Sequence, residues 1–266
     1  MARPIWRGSL SFGLVNVPVA LVSAVRDLDV HFNQLHADSH VRLEVRRVCK
    51  KAGHEVPYDE IGYGYELGGG KQKGKEVVLS QEELDAVQPE KTRTIDIDEF
   101  VDVAQIDPVL YDHPYFLIPD GAGEGPARAY RLLVDVMEKS ERAAIGHLVL
   151  RTKEHLVAIR VRDDLLQATT MAFADELRAT EDLDLPGKAD QPKPKELRNA
   201  VALIEELSRD FEPERYKDCH RQRLLDIIKR KGKGETIEAP PEPETPKAVD
   251  DLLAALERSL EEVRAR

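Results

Sequence analysis

Three consecutive stretches near the middle of the chain constrain its fold more than any other feature. Residues 143–151, 155–162 and 165–173 are rich in apolar and β-branched residues, and short polar turns separate them. This spacing is typical of neighbouring antiparallel strands joined by tight turns. A meander of this kind leaves sheet edges that must be paired or covered, and closure into a barrel removes them.

More strands are predicted before this meander. The candidate segments are residues 6–22, 30–36, 41–49, 63–67, 76–79, 92–101 and 115–118. Gly8, Gly13 and Pro18 would mark bends in the long first segment. Apolar and acidic residues alternate along 92–101, which predicts a strand with one buried face. So many strands with few helices predict a mainly β fold built on a barrel.

The predicted helices lie mostly in the second half. Ser80 followed by Glu83 has the pattern of a capping box and predicts a short helix over residues 81–87. The other predicted helices cover residues 126–139, 195–209 and 213–231. We therefore divide the chain into a barrel core with a dimer bridge (1–181), a helical C-terminal arm (182–234), a Pro-rich linker (235–248) and a C-terminal amphipathic helix (249–266).

Six ordered stretches resemble the prokaryotic Ku family, the DNA-end-binding proteins of non-homologous end joining. They are residues 3–19, which hold the only Trp of the chain between two arginines, and residues 30–36, 55–58, 92–101, 106–108 and 150–158. The resemblance extends over about residues 3–230, and six stretches in the right order are far more specific than any single one.

The resemblance implies a Ku-type β-barrel core with a helical C-terminal arm, assembled as a ring-shaped homodimer. Double-stranded DNA ends would thread through the ring and be held by phosphate and sugar, since a protein that accepts any broken end should not recognise bases. The dimer would use residues 92–119 and the arm helices over 195–231. The resemblance also implies an end-joining DNA ligase (ligase D type) as a partner. No sequence feature demands an enzyme, so we expect no cofactor and no enzymatic activity of the chain itself.

The charge of the chain opposes this function at first sight. The formal net charge is −11, whereas DNA affinity comes largely from Lys and Arg. The charges are segregated, however: residues 82–107 carry nine acidic and two basic residues, and residues 215–233 carry eight basic and two acidic ones. A basic inner surface can attract DNA within an acidic molecule.

Basic residues on several predicted strands and loops are the candidate DNA contacts. Arg3 and Arg7 flank Trp6, and several others repeat with the period of a strand. Any one of them could be an ordinary solvated charge; together they suggest a surface lined for phosphates. The candidates are Arg3, Arg7, Arg46, Arg47, Lys71, Lys73, Lys75, Arg151, Lys153, Arg160 and Arg162.

Three patterns could indicate other chemistry, and a simpler interpretation is favoured for each. Residues 120–125 hold three glycines but lack the ending of a phosphate-binding loop. Residues 49–54 resemble half of a zinc knuckle, with Ala52 where a second cysteine would stand. The carboxylates of Asp96, Asp98 and Glu99 could hold a metal, but they fit the solvated face of a strand. We therefore expect no metal, and His36 and His155 are interpreted as barrel or surface residues.

The last residues of the chain form an amphipathic stripe. Its members are Val249, Leu252, Leu253, Leu256, Leu260 and Val263. We hypothesise that this stripe docks the ligase or another repair factor. The alternative left open is a self-associating or weakly helical end.

Two rival functions remain open at this point. One is a metal-dependent DNA-repair nuclease that uses the carboxylates near Asp96, and the other is an acidic interaction scaffold that does not bind DNA. The chain begins almost directly with the first strand, has two separated cysteines, and contains no apolar run of membrane-spanning length. These features predict a cytoplasmic protein with no targeting segment and no membrane contact, and the resemblance implies a bacterial protein associated with the nucleoid.

Overall fold

The computed structural model describes residues 3–67, 74–88, 93–121, 123–183, 193–236 and 252–264. The chain divides into two compact units. The first contains Met1–Asp27 and Asn33–Ala179, and the second contains Leu28–Phe32 and Thr180–Arg266. None of the described helices combines the length and the hydrophobicity needed to cross a membrane.

Within the described residues of the first unit, seven strands close into a barrel in the order β1-β2-β6-β9-β8-β7-β5. Neighbouring strands are antiparallel except for β1 and β5, whose parallel pairing closes the barrel. The barrel strands are β1 (Trp6–Phe12), β2 (Val15–Ser23), β5 (Thr94–Asp102), β6 (Tyr111–Pro119), β7 (Arg142–Leu150), β8 (Lys153–Arg162) and β9 (Leu165–Met171). The predicted mainly β barrel and its β7–β9 meander are confirmed.

The remaining elements of the first unit are a hairpin and two helices. Strands β3 (Tyr63–Glu66) and β4 (Glu76–Leu79) form the hairpin. Helix α1 (Gln81–Ala86) has the predicted capping box, in which the Ser80 side chain accepts from the Glu83 N–H and the Glu83 carboxylate accepts from the Ser80 N–H. Helix α2 (Glu124–Ser140) follows β6.

The second unit is helical. Among its described residues, the helices are α3 (Pro194–Leu207), α4 (Cys219–Gly232) and α5 (Leu252–Arg264). Helix α4 begins six residues after the predicted start at 213, because Pro213–Arg215 forms a separate 3-10 turn. Single turns of 3-10 helix occur in both units, at Tyr58–Glu60, Val103–Gln105, Pro108–Leu110, Ala174–Glu176, Thr180–Asp182 and Pro213–Arg215.

The first predicted strand is in fact a hairpin. Residue Trp6 pairs with Leu21 at one end of β1 and β2, and Phe12 pairs with Val15 at the other. Gly13 makes the turn with φ = 58°, in the left-handed region that glycine enters without cost. The glycine was predicted to mark a bend, and it reverses the chain completely.

The core of the first unit lies inside the barrel and continues onto α2. Inward-facing residues that are fully buried include Leu10, Val19, Leu21, Ile95, Leu117, Val157, Ile159 and Leu166. Helix α2 adds Leu133, Val134 and Met137 to the same cluster. The partly buried Trp6 packs against this cluster, and its indole ring occupies the space that a Cβ on Gly8 would need. The packing of Trp6 in β1 thus depends on the absence of a side chain at Gly8, two residues along the strand.

Tyr130 fastens α2 to the barrel. Its hydroxyl donates a hydrogen bond to the Leu117 carbonyl at 2.7 Å and accepts one from the Leu166 N–H at 3.0 Å. Burial raises the pKa of Tyr130 above its ordinary value, because a phenolate would be poorly solvated there. One side chain therefore links the helix to two neighbouring strands.

Two predicted strands, over residues 30–36 and 41–49, are wrong. In this region the structure shows only isolated bridges, Leu35 with Arg42 and Val48 with Glu55. The side chains of Val41, Leu43 and Val45 are 63, 53 and 88% exposed. The sequence has the period of a strand, but within the described chain this segment has no neighbouring strand to pair with.

Candidate nucleic-acid interface

A groove at one end of β8 brings together three of the predicted DNA contacts. It is a cavity of about 790 Å³ whose lining includes Arg3, Arg151 and Lys153. We call it the basic groove. Arg3 stands just before β1, and the other two residues belong to the tight turn between β7 and β8, where Leu150 pairs with Lys153. Arg151 adopts φ = 58° in this turn, so the hairpin geometry places both cations at the mouth of the barrel.

Uncharged groups in the basic groove complement its cations. Thr152 and Thr170 bring hydroxyl groups, and Trp6 and Tyr115 bring aromatic rings. Hydroxyls, guanidinium groups and amines are the usual donors to phosphate and sugar oxygens. The sequence analysis missed Thr152, Thr170 and Tyr115 as site residues. Thr152 lies between Arg151 and Lys153 but carries no charge, and only barrel closure brings Thr170 and Tyr115 near Arg151.

Acidic residues reduce the positive charge of the groove without cancelling it. Among the lining residues, Asp112 is the single carboxylate against three cations, and it accepts a hydrogen bond from the Thr170 hydroxyl at 3.1 Å. At the rim, Lys153 Nζ lies 3.5 Å from Glu176 Oε1, with both side chains largely in solvent. An exposed pair of this kind is weak, so Lys153 can exchange it for a phosphate.

Burial and the charges of the basic groove shift the pKa values of His155 and Glu176. Burial lowers the pKa of His155 below 6.5, and Lys153 lowers it further, while Asp112 and Glu176 oppose this shift. The Phe173 N–H, followed by Lys153, lowers the pKa of Glu176. His155 is therefore predominantly neutral at pH 7, and protonating it would add a fourth cation to the groove.

Other predicted contacts lie on separate surfaces. Arg160 and Arg162 are towards the far end of β8, about 23 and about 30 Å from Lys153 at roughly 3.3 Å per residue. Arg160 stacks over the Tyr111 ring at 5.5 Å, and Arg162 Nε lies 3.4 Å from Asp163. The cavity of about 700 Å³ beside them is lined by acidic as well as basic side chains.

Arg7, on β1, is engaged by an acid. Its Nη1 contacts both carboxylate oxygens of Asp120, at 2.6 and 2.7 Å. Asp120 is the first residue of the glycine-containing loop that precedes α2. A carboxylate in that loop would oppose phosphate binding. Glu124 and Gly125, which were predicted to belong to the turn, are the first residues of α2.

Arg46 and Arg47 do not share a strand, because no strand forms there. Arg46 pairs with Glu44 at 2.9 Å and with Glu55 at 3.3 Å. Arg47 lies over the Tyr58 ring at 5.6 Å. Lys75 is exposed next to β4, and Lys71 and Lys73 lie outside the described residues.

The patterns that suggested metal sites take other forms. Residues 49–54 make a knuckle-like turn, with the Cys49 N–H donating to the His54 carbonyl at 2.9 Å. Backbone N–H groups of Ala52 and Lys51 lower the pKa of the Cys49 thiol. Asp98 is hydrogen-bonded to His147 at 2.8 Å. In the part of the chain that the structure describes, no three His, Cys, Asp or Glu side chains are grouped to hold a metal ion.

A second basic surface lies on α4 in the other unit. Lys229, Arg230 and Lys231 form its last turn, where cations interact favourably with the helix dipole. Arg230 is tied to Glu235 at 2.7 Å, which raises the pKa of the guanidinium. The other two cations of this turn are exposed.

Comparison with known proteins places these features in one family. The family model described as the Ku70/Ku80 beta-barrel domain matches residues 11–199. A "Non-homologous end joining protein Ku" of Anaeromyxobacter sp. (strain K) is 43% identical over 267 residues, covering 100% of this chain and 88% of the relative. Proteins with the same name from Opitutus terrae and Mycobacterium tuberculosis are 38% and 36% identical, and each alignment covers at least 93% of the relative.

Proposed function

Because this chain belongs to the Ku family of non-homologous end joining proteins, we propose that it binds the ends of double-stranded DNA as a ring-shaped homodimer, independently of sequence. The observation that carries the proposal is the match over the closed barrel and nearly the whole length of the relatives. In this function the ring protects DNA ends and recruits or stimulates the ligase that joins them.

Exposed apolar residues within residues 33–61, which we call the extended segment, support a second copy as partner. Val41, Leu43 and Val45 alternate along residues 41–45 and point their side chains into solvent in the single chain. An extended backbone with such side chains is stabilised when another strand pairs with it. A two-fold homodimer offers the same segment from the partner, in an isologous contact.

The contact expected over residues 92–119 stays a candidate. Strand β5 pairs with β1 only over Thr94–Asp96, so its residues 97–102 have one edge that no described strand occupies. The arm remains a candidate, since Leu197, Val201 and Ile204 of α3 are 54, 45 and 65% exposed.

DNA binding is assigned to the basic groove and the other exposed cations. Contacts of Arg3, Arg151 and Lys153 to phosphates would hold any duplex, because the phosphate backbone carries no direct sequence information. Encirclement would add retention that a few such contacts cannot supply. A ring with cations on its inner surface also accommodates the net charge of −11, since the acidic residues can face outwards.

The test compares linear duplex with the same DNA as a covalently closed circle. We expect strong preference for the linear form, because a closed ring can be entered only from an end. Affinity should fall steeply with salt. Equal binding of both forms would contradict encirclement, and absence of binding at low salt would favour a non-DNA scaffold.

A charge-reversal pair tests the groove itself. Arg151→Glu with Lys153→Glu should lower affinity for linear DNA by at least about tenfold and reduce the salt slope by about 2, from the loss of two phosphate contacts. The matched control is Arg128→Glu with Lys139→Glu on α2, which makes the same change of charge outside the groove. Equal losses in both double variants would show a general charge effect and contradict the groove assignment.

The ligase role is assigned to the C-terminal helix. Deletion of residues after Lys233 should leave end binding intact and weaken stimulation of an end-joining ligase, because the apolar stripe of α5 is lost. Val249 of the predicted stripe lies outside the described residues. Unchanged stimulation after the deletion would reject this role.

A further inference from the structure

The C-terminal helix α5 packs against α3 of the same chain. The two helices make extensive contact within the second unit. Lys195 Nζ on α3 and Glu257 Oε1 on α5 are 2.9 Å apart. The segment that the sequence suggested for binding a partner therefore already has one in its own chain.

The burial pattern identifies which face of α3 carries α5. Asn199, Ala200 and Leu203 are half-buried, at positions that share one side of the helix. Leu197, Val201 and Ile204, on a different face of the same helix, remain exposed. Because α5 is the element in extensive contact with α3, the half-buried face is the one that it covers.

The matching face of α5 is its apolar stripe. Leu253, Leu256, Leu260 and Val263 are half-buried, whereas the neighbouring Glu261 and Glu262 are exposed. An amphipathic helix turns its apolar side to whatever surface it binds. These four residues therefore face α3, and the exposed side chains among the described residues of α5 are charged: Glu257, Arg258, Glu261 and Glu262.

We propose that this face of α3 is an intramolecular docking surface that withholds the α5 stripe from outside partners. The inference rests on the proposed ligase-binding role of α5, since it describes how that same stripe is regulated. A partner must displace α3, and the surface that it offers should resemble that of α3: apolar or small residues with a cation opposite Glu257.

The shallow contact makes such an exchange feasible. Neither helix loses all solvent at the contact, and no residue of α3 is buried. The ion pair between Lys195 and Glu257 leaves 60 and 47% of the two side chains exposed, and exposed pairs contribute little. Helices held this way open far more readily than a buried core.

Amide hydrogen exchange of residues 252–264 in the full-length chain tests the docking directly. Leu203→Glu places a carboxylate under α5 and should accelerate exchange of these amides at least about tenfold, because a small isolated helix is marginal in water. Ile204→Glu is the matched control, since it makes the same change one residue away on the exposed face. The docking would be overturned if residues 252–264 exchanged as fast in the parent chain as in Leu203→Glu. It would also be overturned if Leu203→Glu and Ile204→Glu accelerated their exchange equally.

A charge swap tests the same contact without disturbing an apolar residue. Lys195→Glu and Glu257→Lys should each accelerate exchange of residues 252–264 about twofold to fivefold, and the double variant should restore parental rates. Failure of the double variant to restore protection would contradict the arrangement of the two helices.

Ligase stimulation separates this inference from the function on which it rests. With the docking in place, Leu203→Glu should lower the concentration of this protein needed for half-maximal stimulation of a purified end-joining ligase, whereas Ile204→Glu should not. If Leu203→Glu accelerated exchange of residues 252–264 without increasing ligase stimulation, the proposal that α3 withholds the α5 stripe would be rejected. If deletion after Lys233 also leaves stimulation unchanged, the proposed ligase role fails while the intramolecular contact stands.

Discussion

The barrel and the extended segment at residues 33–61 belong to the same unit, yet they use similar sequence patterns in opposite ways. Both contain alternating apolar residues with strong strand preference. In the barrel, Leu21 and Leu117 are completely buried between paired strands. In the extended segment, Val45 is 88% exposed, and pairing is limited to isolated bridges.

This contrast shows that alternating apolar residues favour strand pairing, but that pairing occurs only where a neighbouring strand is available. Strand preference reflects packing against neighbours more than an intrinsic property of the backbone. The barrel supplies neighbours from its own chain. The extended segment lacks them in the described single chain, and under the proposed function the second copy supplies them.

The largest expected effect comes from truncating one apolar residue in each region. Leu117→Ala should reduce the free energy of unfolding by about 2–5 kcal/mol, since it removes buried contacts and leaves a cavity in the barrel. Val45→Ala should change the stability of the monomeric chain by less than about 0.5 kcal/mol, as for most exposed sites. Urea unfolding at one fixed protein concentration, low enough to keep the chain monomeric, measures both. Equal losses would mean that Val45 is buried within the monomer.

Much of the barrel could be predicted from the sequence because its signals are local. Short turns between periodic segments predicted β7, β8 and β9, and the Ser80 and Glu83 pattern predicted α1. The signals failed where a long-range partner decides the outcome. Residues 41–49 have the sequence pattern of a strand but no neighbouring strand to pair with. At Gly13 a bend was predicted instead of a chain reversal, because a single glycine is compatible with either.

The candidate site was predictable only in part, for the same reason. Charge and strand period singled out Arg3, Arg151 and Lys153, but the same reasoning selected Arg160 and Arg162 at the opposite end of β8. Sequence spacing does not say which strand ends meet. Barrel closure decides this, and it also brings Thr170 and Tyr115 to the groove, although neither carries a charge that could have marked it.

The second prediction concerns what attaches α2 to the barrel. Tyr130→Phe removes a donor to the Leu117 carbonyl and an acceptor from the Leu166 N–H, both inside the protein. Leaving these groups without a partner should cost about 1–3 kcal/mol of unfolding free energy. Urea unfolding measures the loss, and Tyr58→Phe at a 73% exposed ring is the control. A loss below about 0.5 kcal/mol would mean that water replaces the hydroxyl.

The third prediction tests the extended segment as a dimer contact. Val45→Asp should weaken self-association about tenfold, or about 1.4 kcal/mol, by placing a charge in the proposed interface. Val78→Asp is the control, because Val78 is 71% exposed on β4, a strand that already pairs with β3. Sedimentation equilibrium would measure both. Equal dimer constants for the two variants would remove the extended segment from the interface.

The smallest expected effect is a pH dependence that separates the groove from the rest of the barrel. Because the pKa of His155 is lowered below 6.5 in the folded state, the unfolded chain binds more protons between that pKa and 6.5. Stability should therefore decline as the pH falls from 6.5 into this window, and His155→Asn should flatten the decline. The contribution of Glu176, whose pKa is lowered from 4.5, is lost only at more acidic pH. Chemical unfolding at pH 5–8 distinguishes the two residues. The assignment to the histidine would be contradicted if stability declined in this range and the decline were removed by Glu176→Gln but not by His155→Asn.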